Sequence, residues 1–174
     1  MSARPLALLV DTYSLLFRAH HALPPMNTKS GEPTSALYGF CAALLRELTQ
    51  RQPLELAFAV DAPQRTFRHE ALPSYKGTRD ATPEPLVAQF ARLRELLAAF
   101  EVPVFEVPGV EADDVLATLA AELGAGDRPV LVMSGILPEL SSGYGLVPLT
   151  LRGIDSATPE PMSRWSALSA MPLA

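Results

Sequence analysis

Short apolar runs alternate with longer segments of helical periodicity, and this alternation limits the possible folds more than any other feature. The apolar runs are Leu6–Val10, Leu56–Val60, Val102–Val107 and Pro129–Met133. Apolar residues recur every three or four positions in Ser35–Thr49, Pro85–Phe100 and Ala112–Leu123, which predicts amphipathic helices. Buried strands that alternate with such helices are typical of a mostly parallel sheet with helices on both faces. We therefore predict an α/β fold, a three-layer domain with a central mostly parallel sheet.

Composition favours one folded domain in a reducing compartment. The chain has 174 residues, of which 48% are hydrophobic, and this argues against a disordered chain. Cys41 is the only cysteine, so no disulfide can form within the chain and no cysteine metal cage exists. The apolar run near the N-terminus, Leu6–Val10, is too short for a signal peptide or a membrane span. We expect a cytoplasmic protein with no membrane association.

The charge balance by itself argues against a nucleic-acid partner. The formal net charge is −5, whereas a protein that binds phosphates needs a positive surface. The argument weakens if the acidic residues are gathered in a metal site, because bound cations would then cancel their charge. The distribution of the acids along the chain therefore matters more than their sum.

Acidic residues follow three of the predicted strands. Asp11 and Asp61 end the first two apolar runs, and Glu111, Asp113 and Asp114 open the helix after the third. The carboxyl ends of parallel strands meet at one edge of a sheet, so all five acids are expected there. Oxygen-rich clusters are what Mg²⁺ and Mn²⁺ require. Two such ions about 4 Å apart can activate a water and stabilise the leaving oxygen in phosphodiester hydrolysis.

A structural explanation of the same acids is also available. A single Asp after a strand is commonly the N-cap of the next helix. Acids in the first turn of a helix also suit the positive end of its dipole. This explanation is the more frequent one for Asp11 taken alone. It is weaker for the five acids together, because capping does not need three acids within four residues.

Two segments do not fit the alternation. Residues 61–84 contain several prolines and no long apolar run, and their basic residues are Arg65, Arg68, His69, Lys76 and Arg79. A loop of this length in a compact domain is usually functional or disordered, although a charged run is often only a solvated face. Residues 136–174 show at most a weak strand at Leu146–Leu151 and a marginal helix at Pro161–Ala170.

A series of motifs carries a family resemblance across residues 6–135. They are Val10-Asp11, Leu16-Phe17-Arg18-Ala19-His20-His21, Gly31-Glu32-Pro33-Thr34, Leu37-Tyr38-Gly39-Phe40, Phe58-Ala59-Val60-Asp61, Thr66-Phe67-Arg68-His69-Glu70, Tyr75-Lys76 and Gly109-Val110-Glu111-Ala112-Asp113-Asp114. In order and spacing they resemble the 5′–3′ exonuclease (5′-nuclease, or flap endonuclease) domain of bacterial DNA polymerase I. The resemblance implies a 5′-nuclease or PIN-like fold for residues 1–135, with 136–174 as a divergent C-terminal segment.

The resemblance also implies roles for individual residues. The family places metal-binding carboxylates, for Mg²⁺ or Mn²⁺, at positions matched by Asp11, Asp61, Glu111, Asp113 and Asp114. Lys76 and Arg79 match a basic pair that contacts the scissile phosphate of DNA. Nucleic-acid contacts are expected at Arg18, Tyr38, Gly39, Arg65 and Arg68 as well. For His21 we expect packing within the fold rather than a functional role.

The resemblance ends after Gly135. The family continues with two acids and a leucine-rich helix, whereas this chain has Ile136-Leu137-Pro138, and a proline disfavours a helix interior. The family's later part has two more metal-binding aspartates and a helix-hairpin-helix. In contrast, residues 141–174 contain only Asp155 and Glu160 as acids and no lysine. We therefore expect a truncated and partly degenerate relative with weakened cleavage.

Three functions follow from the sequence. The first is a 5′–3′ exonuclease or 5′-flap endonuclease that hydrolyses DNA with divalent metal. The second is a non-catalytic DNA-binding paralogue or fragment, which the acids missing after Gly135 favour. The third is a PIN-type ribonuclease, against which the basic segment and the Gly31-Glu32-Pro33-Thr34 motif argue.

Overall fold

The structure, a computed structural model, describes residues 5–72, 74–77, 81–124 and 128–135 and the backbone of 146–149. Its strands are β1 (Ala7–Asp11), β2 (Glu55–Val60), β3 (Val104–Glu106), β4 (Val130–Met133) and β5 (Leu146–Leu149). Its helices are α1 (Thr12–Ala22), α2 (Ser35–Arg51), α3 (Phe67–Ala71), α4 (Glu84–Ala99) and α5 (Ala112–Gly124).

One five-stranded sheet forms the centre, with strand order β3-β2-β1-β4-β5. The first four strands of this order are mutually parallel, and β5 runs antiparallel to β4. The carboxyl ends of the four parallel strands therefore share one edge. The prediction of a mostly parallel sheet is confirmed.

Apolar side chains on the two faces of the sheet form two separate hydrophobic cores. On one face, Phe58 of β2 and Val10 of β1 pack with residues of α1, α2 and α4, including Phe40 and Leu93. On the other face, residues such as Leu9 pack against the apolar side of α5. Most residues of β1, β2 and β4 are buried, as expected of a covered parallel sheet, whereas Val104 and Glu106 of the edge strand β3 are exposed. The three-layer prediction is confirmed.

The cleft of such a sheet forms where the direction of strand order reverses. In this chain the reversal lies between β1 and β4. The connections from β1 to β3 run through α1, α2 and α4 on one face, whereas α5 leads to β4 across the other face. The carboxyl ends of β1 and β4 are therefore the expected position of a ligand site.

Most element bounds agree with the sequence, and the differences have local causes. β3 is shorter than the predicted Val102–Val107, since it pairs only with β2 at the sheet edge and Pro103 has no N–H to donate. Helices α1 and α3 were not predicted. The weak strand predicted at Leu146–Leu151 is present as β5, and the helix predicted at Pro161–Ala170 lies outside the described residues.

The prediction that His21 is packed within the fold is wrong. His21 is exposed and its ring makes an edge contact with His20, with 5.0 Å between the centroids. Helix α1 buries Thr12, Leu15, Leu16 and Ala19. His21 follows Ala19 by two positions, which places it nearly opposite the buried face of the helix.

Across the described residues, no helix combines the length and the apolar character needed to cross a membrane.

Candidate metal and nucleic-acid site

An open cleft of about 600 Å³ lies at the carboxyl edge of the sheet. It is lined by four of the five predicted metal-binding acids and by one predicted basic residue: Asp11, Asp61, Glu111, Asp113 and Lys76. The other polar residues of its wall are Tyr13, Ser14, Tyr75 and Thr82. The sequence-based expectation that strand-end acids and the basic segment meet at one edge therefore agrees with the geometry.

Asp11 is buried at the end of β1, with 4% of its surface exposed. One carboxylate oxygen accepts a hydrogen bond from the backbone N–H of Ser14 at 3.2 Å, which caps α1. The other accepts from the Ser134 hydroxyl, just beyond β4, at 2.8 Å. Burial, reinforced by the charges of Asp113 and Asp61, raises the pKa of Asp11 to about 6. This side chain therefore carries negative charge that the protein does not fully compensate.

Asp61 follows β2 and also caps a helix. Its Oδ1 accepts a hydrogen bond from the backbone N–H of Ala112, the first residue of α5, at 2.8 Å. Capping, the structural explanation for an Asp after a strand, therefore operates at both Asp11 and Asp61. Asp61 nevertheless lines the cleft, and capping does not explain why two capping carboxylates share one wall with a third.

Asp113 lies in the first turn of α5 and is open to solvent. Partial desolvation, together with the negative charges of Asp61 and Glu111, raises the pKa of Asp113 above its ordinary value. Asp11, Asp61 and Asp113 thus repel one another across the cleft. Mutual repulsion of this kind favours a bound cation.

Glu111 precedes α5 and is paired with groups from the basic segment. Its Oε1 lies 2.7 Å from the Lys76 ammonium nitrogen, and its Oε2 accepts a hydrogen bond from the Tyr75 hydroxyl at 3.2 Å. Burial by itself would raise the pKa of Glu111, but the adjacent Lys76 ammonium and the Tyr75 hydroxyl bring it below its ordinary value. Glu111 is therefore ionised and fixes Lys76 at the cleft.

Lys76 adopts an unusual backbone conformation, with φ of 57°. A side chain with a Cβ is uncommon in this left-handed region, and such strain is frequent at functional positions. The ammonium group is 5.4 Å from the centroid of the Tyr75 ring. The strained turn therefore directs the chain so that Tyr75 and Lys76 both reach Glu111.

Asp114 is the predicted metal ligand that does not line the cleft. Both of its oxygens accept hydrogen bonds from the Arg68 guanidinium, one at 2.7 Å, and its Oδ2 also accepts from the backbone N–H of Glu111 at 3.1 Å. The Arg68 contact is the main reason why the pKa of Asp114 is lowered. Arg68 thus neutralises an acid in the structure as described.

The residues of the cleft fit a divalent cation. Within the described ranges, no three His, Cys, Asp or Glu side chains already stand close enough to form a complete metal site. The acids nevertheless provide only oxygen donors, which suit Mg²⁺ and Mn²⁺. Burial, and then the charges of neighbouring acids, raises the pKa of Asp11 and of Asp113, and a bound cation would favour the ionised form of both.

Of the other residues predicted to contact nucleic acid, those that the structure describes do not line the cleft. Arg65 is exposed just before α3, and Tyr38, on α2, has 58% of its surface exposed. Arg18, on α1, borders a small gap together with Gly39. Gly39 is at the contact between α1 and α2, where a Cβ would lie 2.7 Å from the Ala19 methyl. Arg79 lies outside the described residues.

Two polar residues that support the site had no predicted role. Ser134 donates to Asp11, and Tyr75 donates to Glu111. Ser134 directly follows β4, so a search of strand ends for all polar residues would have found it. No periodicity points to Tyr75, because it lies in a segment without regular pattern; only its place beside Lys76 in a family motif marks it.

The comparisons with known proteins agree on one family. The model of the 5′–3′ exonuclease N-terminal resolvase-like domain matches residues 6–135. DNA polymerase I of Bacillus caldotenax is 41% identical over 153 residues, which cover 87% of this chain and 17% of the relative. DNA polymerase I of Pseudomonas aeruginosa is 43% identical over 135 residues, covering 78% and 15%. The chain therefore spans less than a fifth of the length of these curated relatives.

Solved structures give the same answer for the fold. The bacteriophage T5 5′-exonuclease with bound zinc superposes with a TM-score of 0.51 and 25% identity, covering 74% of this chain and 48% of that one. The T5 D15 flap endonuclease in complex with DNA and metal ions reaches a TM-score of 0.50 at 23% identity, with 74% and 54% covered. The domain match, the identity to several DNA polymerases I and the shared fold place this chain in the 5′–3′ exonuclease N-terminal resolvase-like domain family.

Proposed function

We propose that the chain is a metal-dependent nuclease domain that hydrolyses phosphodiester bonds of DNA at 5′ ends or 5′ flaps. The observation that carries this proposal is the cleft in which Asp11, Asp61, Asp113 and Glu111 lie beside Lys76. Carboxylates and a cation at the carboxyl edge of a parallel sheet are suited to a metal ion and a phosphate. Family membership supports the reaction type, and the T5 flap endonuclease crystallised with DNA and metal ions supports the substrate class.

The proposed metal is Mg²⁺ or Mn²⁺, bound by Asp11, Asp61, Asp113 and Glu111. A divalent cation held by these residues would supply positive charge for phosphodiester hydrolysis and would lower the pKa of a bound water. Asp11 and Asp61 are fixed by their helix-capping hydrogen bonds, so they offer donors that need little reorganisation. Asp113, which is open to solvent, would complete the donor set.

Basic residues would bind the DNA strand. Lys76 lies within the cleft, so its ammonium would contact a phosphate oxygen there and offset the charge that develops during hydrolysis. We propose the same role for Arg79, three residues further on. Arg65 and Arg68, with Arg18, would contact the backbone outside the cleft, and the exposed ring of Tyr38 would pack against a base.

Cleavage is proposed to be slow relative to members of the family that retain the acids after Gly135. This chain has Ile136-Leu137-Pro138 at that point. One lost donor of charge stabilisation typically costs about a hundredfold or more in rate. We also propose a cytoplasmic location, because Cys41 is a free cysteine and DNA is the proposed substrate.

The test is incubation of the chain with an end-labelled 5′-flap DNA in Mg²⁺, in Mn²⁺ and in EDTA. We expect slow cleavage that requires metal and that is lost in Asp113→Asn. DNA binding without cleavage would instead support a non-catalytic paralogue, for which the sequence after Gly135 is the favouring observation. Preference for an RNA strand of the same sequence would support the PIN-type ribonuclease.

A further inference from the structure

The main side-chain partner of Asp114 is Arg68, which does not line the cleft. Its two oxygens accept a pair of hydrogen bonds from Arg68, and one of them also accepts from the backbone N–H of Glu111. Paired hydrogen bonds between Arg and a carboxylate are among the strongest polar contacts in proteins. Asp113, the preceding residue, lines the cleft. Consecutive side chains of a helix point about 100° apart, so Asp113 and Asp114 face different neighbours.

Helix α3, which carries Arg68, has little else to hold it in place. It has five residues and none of them is buried. Phe67 and Leu72 have 51% and 54% of their surface exposed, so the helix makes little contact with either core. Among the described residues, its other contacts with the α5 region are the hydrogen bond from the Phe67 N–H to the Gly109 carbonyl at 3.0 Å and a longer ion pair of Arg68 with Glu111 at 3.9 Å. The Arg68–Asp114 pair is therefore the main side-chain contact between α3 and α5.

The residues that follow α3 connect this helix to the cleft. The Tyr75 N–H donates to the carbonyl of Leu72, and the Leu72 N–H donates to the carbonyl of Arg68. Tyr75 and Lys76 then reach Glu111. A continuous set of contacts thus leads from Asp114 through α3 to Lys76.

We propose that Asp114 is a positioning residue that binds Arg68 and not the metal ion, and that this pair fixes α3 and thereby Lys76 at the cleft. The role of this pair in catalysis rests on the proposed function, in which Lys76 contacts the phosphate. Whether the Arg68–Asp114 pair holds α3 in place does not depend on catalysis, and it can be measured without metal or DNA.

The first experiment separates positioning from metal coordination. The double variant Arg68→Gln, Asp114→Asn removes the pair without changing the net charge. Calorimetric titration with Mn²⁺ should give a dissociation constant within about twofold of the unaltered chain, since no net charge is lost. Asp113→Asn should weaken Mn²⁺ binding about tenfold or more, as losses of groups at metal sites usually do. Equal weakening in both variants would show that Asp114 is a ligand and would overturn the proposal.

The second experiment measures α3 directly, by amide hydrogen exchange in EDTA. The amides of Phe67, Leu72 and Tyr75, which are hydrogen-bonded, should exchange faster in Asp114→Asn and in Arg68→Gln, and no faster still in the double variant. Asp114→Glu, which can still reach Arg68, should restore protection, and Asp113→Asn should leave it unchanged. Unaltered exchange in the variants, or additive effects of the two changes, would contradict the coupling.

A third measurement tests the link to Lys76. DNA affinity is followed by fluorescence anisotropy in EDTA at several salt concentrations. Lys76→Ala should reduce the salt slope by about 0.9 in the otherwise unaltered chain and by clearly less in the double variant. An equal effect in both backgrounds would mean that Asp114 does not position Lys76. If the unaltered chain binds no Mn²⁺ and no DNA, the proposed function fails, whereas the exchange experiment still decides whether the pair anchors α3.

Discussion

At the scale of single residues, the most informative side chain is Asp11. It is nearly inaccessible to solvent and its pKa is raised to about 6, first by burial and then by Asp113 and Asp61. A folded-state pKa above the unfolded value means that the protonated form stabilises the fold. That contribution is fully present below about pH 4 and is lost as the pH rises through about 6. The ionised cleft is therefore a source of instability when no metal is bound.

We accordingly predict that Asp11→Asn stabilises the metal-free protein. At pH 8 the free energy of unfolding should rise by about 1–3 kcal/mol, since a pKa shift of about two units corresponds to roughly 3 kcal/mol. At pH 3 the gain should nearly vanish, because Asp11 is then largely protonated in both states. Urea unfolding at the two pH values provides the measurement. Added Mn²⁺ should stabilise the unaltered chain more than the variant, and a gain that is equal at both pH values would refute the explanation.

The acids at strand ends were predictable, whereas their partners were not. Asp11, Asp61 and Asp113 follow from the rule that ligands gather beyond parallel strands. The pairing of Asp114 with Arg68 joins positions 46 residues apart, and no local pattern in the sequence encodes that contact. Motif matching alone assigns all the acids to the metal, because it does not contain the directions in which neighbouring helical side chains point.

At the scale of elements, α1 and α2 approach closely at Gly39. A Cβ at this position would lie 2.7 Å from the Ala19 Cβ and 2.8 Å from a Leu23 methyl carbon. An alanine in an exposed helix would stabilise by about 1 kcal/mol relative to glycine. Packing thus explains this glycine without any contact to substrate, although the two roles do not exclude each other.

We predict that Gly39→Ala destabilises the domain by about 1–3 kcal/mol, the usual cost of an overpacked contact. The compensating variant Ala19→Gly, Gly39→Ala removes the closest clash and should recover part of that loss. Thermal unfolding of the two single variants and the double variant gives the coupling between the positions. Additive effects, or a more stable Gly39→Ala, would show that the helices are not in this contact.

Regular elements were easier to predict than irregular ones for a physical reason. The strands and α2, α4 and α5 bury a repeating apolar face, and this produces the periodicity from which they were predicted. Helix α3 buries no residue and depends on the Arg68–Asp114 pair, so its sequence has no such periodicity. Helix α1 buries an apolar stripe, but it is only 11 residues long. It also directly follows a strand, so no change in amino-acid composition marks where the helix begins.

At the scale of the whole molecule, an acidic chain is proposed to bind a polyanion. The formal net charge is −5, and part of the negative charge lies in the cleft, where a divalent metal would neutralise it. The cations proposed to bind DNA are concentrated between Arg65 and Arg79. Binding should therefore depend on a few local contacts and on metal, rather than on the overall charge.

We predict weak DNA binding in which the logarithm of affinity falls with the logarithm of salt concentration, with a slope of about −2 to −4. The Lys76→Ala, Arg79→Ala variant should weaken binding to all sequences alike, because phosphate contacts carry no base information. Fluorescence anisotropy with a 5′-overhang oligonucleotide is the measurement. Lys29→Ala, at the only other lysine of the chain and in an exposed loop, is the matched control. A flat salt response would indicate that residues 65–79 are only a solvated face.

The central claim, that the carboxylate cleft binds a divalent metal, is tested most directly by calorimetric titration of the chain with Mn²⁺. The control is Glu122→Gln, which removes one negative charge at the exposed far end of the helix that carries Asp113. We expect at least one site in the unaltered chain and in the control, and binding about tenfold or more weaker in Asp113→Asn. Equal affinity in Asp113→Asn and Glu122→Gln, or no binding by the unaltered chain, would contradict a metal site in the cleft.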